Sequence, residues 1–91
     1  MSVRFFFPTA TAKNITKGKK VIEVEGDTIG NIISKVITTY PEMRRILFTG
    51  ENKLRGYIKV LINDKFIASD VLEQKVNDGD DIRLFFVMGG G

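Results

Sequence analysis

The chain has no cysteine, no histidine and no tryptophan, and two prolines in 91 residues. Without cysteine there is no thiol nucleophile, no disulfide, no cysteine-ligated iron–sulfur cluster and no CxxC redox pair. Without histidine, the usual neutral-pH base and a usual zinc ligand are also missing. A self-contained catalytic site is hard to build from what remains. Neither a metal nor an intrinsically bound cofactor is expected. Long apolar runs are lacking too: no stretch approaches the roughly 20 apolar residues of a membrane span, and no signal-like segment opens the chain. The expected location is the cytoplasm, with no membrane contact.

What is present suits one small α+β domain. A chain of this length buries roughly 60% or a little more of its unfolded surface, enough for a core without staples. The net charge of +3 comes in part from the stretch Lys13-Asn14-Ile15-Thr16-Lys17-Gly18-Lys19-Lys20. Such a stretch could touch nucleic acid. No aromatic residue is interleaved for base stacking, however, so it reads as a solvated loop, and no nucleic-acid partner is expected.

Val3-Arg4-Phe5-Phe6-Phe7 is an aromatic strand closed by Pro8, which cannot donate to a ladder. Val21-Ile22-Glu23-Val24-Glu25 begins with apolar–polar alternation, stops at Gly26, and suits an antiparallel partner for the first strand. Asp27-Thr28 offers a helix cap. Ile29, Ile32, Ile33, Val36, Ile37 and Tyr40 then recur at the 3.6-residue period of a helix with one buried stripe, ended by Pro41. β-Branched residues are poor helix formers, so packing onto a sheet has to hold this helix. A short helical turn over residues 42–48 and a loop over 50–56 lead to the strand Tyr57-Ile58-Lys59-Val60-Leu61-Ile62. The turn Asn63-Asp64 and a short edge strand at Phe66-Ile67 follow. A crossing over 69–77 offers Val71, Leu72 and Val76 as plugs, and Asp78-Gly79-Asp80 turns into the last strand.

The layout is a mixed four- to five-stranded sheet packed on one main helix, with residues 1–87 as one domain and 88–91 as a flexible glycine tail. With the first and last strands central, both escape edge pairing. Alternation then sends Val3, Phe5, Phe7, Ile22, Val24, Ile58, Val60, Ile62, Ile82, Leu84 and Phe86 towards the helix. Phe6, Leu61, Phe85 and Val87 are left on the open face, an apolar cluster of the kind that serves as a docking surface. Asp78, Asp80 and Asp81 could suggest a cation site, but a turn stitched by local side-chain hydrogen bonds accounts for them.

The final strand runs into Met88 and then Gly89-Gly90-Gly91. Glycine has no Cβ, so such a tail can thread a channel too narrow for other residues and carry the α-carboxylate of Gly91 to a partner's site. It is not a phosphate-binding loop, which needs a following helix.

The element order, the Gly26-Asp27-Thr28 helix entry, Tyr40-Pro41, Val60-Leu61-Ile62-Asn63, Asp78-Gly79-Asp80 and the terminal Gly90-Gly91 together resemble the ubiquitin-like sulfur carriers of the MoaD/ThiS family, with a β-grasp fold. Phe7-Pro8-Thr9 and the long segment after the helix resemble its longer branch. That branch includes molybdopterin-type carriers and the carrier for cysteine synthesis. Three departures stand out: Phe86 where the family commonly has proline, Gly89 where it often has another small residue, and Ala10-Thr11-Ala12 after Phe7-Pro8-Thr9.

The resemblance implies that the chain is not itself an enzyme, although it could form the small non-catalytic subunit of one. An ATP-dependent adenylating enzyme would activate Gly91, ATP being that enzyme's own. Sulfur delivery would give a thiocarboxylate. A sulfur-acceptor enzyme, such as a molybdopterin-synthase large subunit or a cysteine-synthase-like enzyme, would use it for molybdopterin, cysteine, thiamin or another thio-metabolite. Gly90, Gly89 and Met88 would be threaded, and Val87, Phe85, Phe6 and Leu61 gripped. Two alternatives are a protein modifier joined through Gly91 to lysines of target proteins, and a non-reactive binding module with an incidental tail.

Overall fold

The computed structural model describes residues 1–8 and 13–87. Two strands open the chain, β1 (Ser2–Phe6) and β2 (Val21–Glu25). Helix α1 (Ile29–Thr39) and the short helix α2 (Met43–Leu47) follow. Then come β3 (Ile58–Ile62), β4 (Lys65–Phe66), a 3-10 turn (Val71–Glu73) and β5 (Asp81–Phe86). The strands form one sheet in the order β2-β1-β5-β3-β4. β1 and β5 run parallel at its centre and the other pairs are antiparallel, so the expected mixed sheet on one main helix is present.

Local chemistry explains each boundary. The Thr28 hydroxyl caps α1 by accepting from the Asn31 N–H at 3.1 Å, which satisfies one of the donors a helix start leaves unpaired. The stripe Ile29, Ile32, Ile33 and Val36 is completely buried, and each such side chain contributes about 1.5–3 kcal/mol relative to exposure. That burial holds a helix that its own propensities would not. Tyr40 closes α1 and packs edge-on against Phe7 at 5.3 Å, with Phe7 edge-on to Phe5 at 5.4 Å. Met43 and Leu47 of α2 are fully buried and seal the core beside it. The crossing segment is tied to the helix start, because Gln74 O accepts from Ile29 N at 2.9 Å and Asp27 O accepts from Val76 N at 3.0 Å. Val76 is buried, with Val71 and Leu72 packed against the core at its margin.

Three strands start one residue away from where the sequence pattern alone places them, β1 being Ser2–Phe6 rather than residues 3–7. Asn63 and Asp64 both have positive φ, 50° and 72°, giving a two-residue hairpin turn. Pairing therefore resumes at Lys65 opposite Ile62, and the edge strand is Lys65–Phe66 rather than Phe66-Ile67. Tyr57 lies just outside β3, yet its carbonyl accepts from Val87 N at 2.7 Å, so the ladder reaches one residue past β5.

The inward set is as alternation requires. Val3, Phe5, Phe7, Val24, Ile58, Val60, Ile82 and Leu84 are buried in the core, with Ile22, Ile62 and Phe86 packed at its edge.

Candidate functional site

β5 sits between β1 and β3 at the centre of the sheet. Its start is clamped. Asn63 donates from Nδ2 to Asp80 Oδ1 at 2.7 Å and accepts from Asp81 N at 2.9 Å, while Asp80 Oδ2 accepts from Asn77 N at 2.8 Å. Asp78 Oδ1 accepts from Ser2 N at 2.9 Å, and Gly79 turns the chain with φ +86°, a conformation strained for any side chain. Asp81 holds Arg4 through two contacts of 2.7 and 2.8 Å. Each of the three aspartates thus has a structural partner, and the described residues contain no acidic cluster suited to a metal ion.

Of the residues expected on the open face, Phe85 and Val87 are there, at 49% and 46% exposure. Phe6 is only half open, because the Arg83 guanidinium lies over its ring at 3.8 Å from the centroid. Leu61 departs from the expectation. It is 8% exposed, flanked in register by Arg83 on β5 and Phe66 on β4, whose long side chains share its face. On this face Phe85 and Val87 stand open, while Leu61 lies beneath its neighbours. Beside the exit of β5, Phe6, Phe7, Pro8, Arg83, Leu84, Phe85 and Phe86 line an open notch of about 360 Å³. Met88, Gly89, Gly90 and Gly91 lie outside the described residues, as do Thr9, Ala10, Thr11 and Ala12.

Arg83 and Lys59 share the open face with Phe85 and were not among the residues expected there, and the clasp that Asn63 makes with Asp80 and Asp81 goes beyond the turn expected of it. Arg83 carried a usable signal: it alternates with Phe85, so it shares the open face. What it covers becomes visible only when β1 pairs with β5 and sets Phe6 opposite it.

A family model described as "ThiS family" matches residues 3–91. The chain belongs to the ThiS family. It is a MoaD/ThiS-type, ubiquitin-like sulfur-carrier protein with the β-grasp fold. The sulfur carrier protein CysO of Mycobacterium tuberculosis is 28% identical over 94 residues, covering 100% of both chains. The crystal structure of the Amycolatopsis orientalis BexX/CysO complex contains a chain 32% identical, with a TM-score of 0.84, covering 98% of this chain and 99% of that one. SAMP1 from Haloferax volcanii superposes with a TM-score of 0.82 at 23% identity over the whole of both chains, a likeness of fold. Among the described residues, no helix is long and apolar enough to cross a membrane.

Proposed function

We propose that this ThiS-family chain carries sulfur as a thiocarboxylate on the α-carboxyl of Gly91. A carboxylate oxygen attacks the α-phosphorus of ATP in the site of an adenylating enzyme, pyrophosphate leaves, and the acyl adenylate makes the Gly91 carbonyl an electrophile. Hydrosulfide, or its equivalent at the same oxidation level, attacks that carbonyl and AMP leaves, giving the thiocarboxylate; in an acceptor enzyme its sulfur bonds to the substrate, and water cleaves the resulting acyl–sulfur bond to restore the Gly91 carboxylate. The folded part supplies no nucleophile or base. It holds the tail out and offers Phe85 and Val87 as a grip at its root, with the glycines and Met88 threaded into the partner.

The observation that carries this reading is the family match itself, which runs from residue 3 through the terminal glycines to 91. The similarity to CysO favours an acceptor of the cysteine-synthase-like class over a molybdopterin-synthase large subunit. The molybdopterin-converting-factor complex of Helicobacter pylori shares only fold, at 19% identity and a TM-score of 0.58. Adenylation and sulfur transfer of this kind belong in the cytoplasm, where ATP is supplied.

Intact-mass measurement of the chain recovered from its native host is the test. Replacement of one oxygen by sulfur, located at Gly91 by fragmentation, is the expected result. Gly91 linked instead to lysines of other proteins would make it a modifier, and an unaltered carboxylate under sulfur demand would refute both.

A further inference from the structure

On the helix side of the sheet, α2 and the loop after it enclose a cleft of about 560 Å³, walled by Glu42, Arg44, Arg45, Phe48, Thr49 and Arg55. The loop is a tied hairpin. Phe48 bridges Leu54, Thr49 N donates to Lys53 O at 2.7 Å, Arg55 N donates to Leu47 O at 2.9 Å, and Asn52 turns the chain with φ +62°. Met43 and Leu47 root α2 in the core, and the cleft shares no residue with the notch beside β5 or with the open face. Its wall carries three guanidiniums and one carboxylate, and the hairpin's Glu51 and Lys53 add no net charge. Among the described residues, no acid lies within ion-pair distance of Arg44, Arg45 or Arg55.

Neutral oxygens hold two of these three cations in place. Arg55 donates from Nε and Nη2 to Arg45 O at 3.2 and 3.0 Å, which fixes that edge of its guanidinium and leaves the Nη1–Nη2 edge open. Arg44 Nη2 donates to Asn52 Oδ1. Arg45 is exposed, and its side chain has no partner among the described residues. Thr49 Oγ1 accepts from Glu51 N at 3.2 Å and from Lys53 N at 3.3 Å, so its lone pairs are engaged and its proton is left for another acceptor. Holding long side chains in place beforehand lowers the ordering cost that binding otherwise carries.

We infer that this cleft binds the phosphate group of a small organic phosphate monoester. Charge and donor geometry select this ligand. Three guanidiniums against one carboxylate leave the wall two positive charges, and a monoester carries close to two negative charges at neutral pH on three strongly accepting oxygens. Those oxygens can meet the open edge of Arg55, the N–H groups of Arg44 and Arg45, and the Thr49 hydroxyl together. A carboxylate ligand would satisfy one guanidinium edge and leave the others unanswered. The space beside Pro41 and the half-buried Phe48 receives the organic group. A cleft of about 560 Å³ has the size of a small-ligand site, not of a track along a polymer. The inference does not depend on the proposed activation of Gly91.

The experiment titrates the isotope-labelled full chain with phenyl phosphate at neutral pH and constant ionic strength, read by NMR at the arginine Nε–H and backbone amide signals. Inorganic phosphate, acetate and a short single-stranded RNA are titrated in parallel. Phenyl phosphate should give saturable shifts confined to Arg44, Arg45, Thr49, Arg55 and their neighbours, and should bind more tightly than inorganic phosphate. Arg45→Gln removes an exposed side chain with no partner in the fold, and should weaken binding about tenfold, the worth of one charge-assisted hydrogen bond. Arg45→Lys should recover part of that loss, and Arg45→Glu should abolish saturation, with amide signals elsewhere unmoved in all three variants. Shifts that fail to saturate, that spread equally over Lys13, Lys17, Lys19 and Lys20, or that persist undiminished in Arg45→Glu would overturn the inference. Acetate or inorganic phosphate binding as tightly as phenyl phosphate would also overturn it. RNA binding at the cleft more tightly than phenyl phosphate would assign the site to nucleic acid and overturn it as well. None of these outcomes bears on adenylation of Gly91, so the proposed function is tested separately.

Discussion

Replacing Phe85 by alanine separates docking from folding, because Phe85 is half exposed and sits at the root of the tail. With 49% of the residue already open to solvent, about half of the roughly 1.5–3 kcal/mol for full burial of a phenylalanine is at stake in the fold, so about 1 kcal/mol. Lower strand preference adds up to about 1 kcal/mol. A domain with a stability of roughly 5–15 kcal/mol remains folded after losing about 1–2. Docking is more sensitive: a central aromatic anchor is worth about 2 kcal/mol or more to an interface, and 1.4 kcal/mol is about tenfold. ATP–pyrophosphate exchange with the adenylating enzyme should therefore lose about 30-fold or more in kcat/KM for Phe85→Ala, while urea denaturation records the small stability change. A loss below about threefold, or one that tracks the unfolded fraction, would show that Phe85 is not part of the gripped surface.

Deleting Gly90 and Gly91 should abolish activation and move Tm by less than about 2 °C, because the core cluster and sheet ladder described here are complete by Val87. A fall of more than about 5 °C in a thermal melt would contradict this. Asn63→Ala should destabilise by about 2–4 kcal/mol in urea titration, since it places alanine at φ +50°, removes a bond to the buried Asp80 carboxylate and orphans Asp81 N. Asn63→Gly should recover about 1 kcal/mol of that, the backbone share, and identical losses would refute the division. Gly30→Ala sets two effects against each other. Alanine improves helix propensity by about 1 kcal/mol, but its Cβ would lie 2.9 Å from the backbone oxygen of Leu72. Crowding against backbone costs about 1–3 kcal/mol, so Tm should fall, and a rise would mean that the crossing segment yields freely.

Periodicity made most of the fold legible. The isoleucine spacing in α1, Pro41 after it, the alternation in β3 and β5, and the Asp78-Gly79-Asp80 turn each act over a few neighbouring residues, so the local sequence holds the information. The edge strand slipped by one residue because the backbone of Asn63 and Asp64 adopts two positive φ angles, which fixes where pairing resumes. The candidate site was legible in part. Phe85 and Val87 are open, as alternation alone implies, whereas Leu61 is closed and Phe6 half closed by residues far away in the chain.

The chain's own order of residues determined which strands and helices form, that no cysteine or histidine chemistry is available, and that glycines follow the last strand. Those properties belong to residue types and to spacings of a few positions. Tertiary structure decided that Arg83 lies across Phe6, that Leu61 is hidden between β4 and β5, and that Lys59 stands opposite Phe85. Each of these depends on register between strands distant in sequence, and that register is fixed only when the shared core and the Asn63–Asp80 clasp lock the strands together.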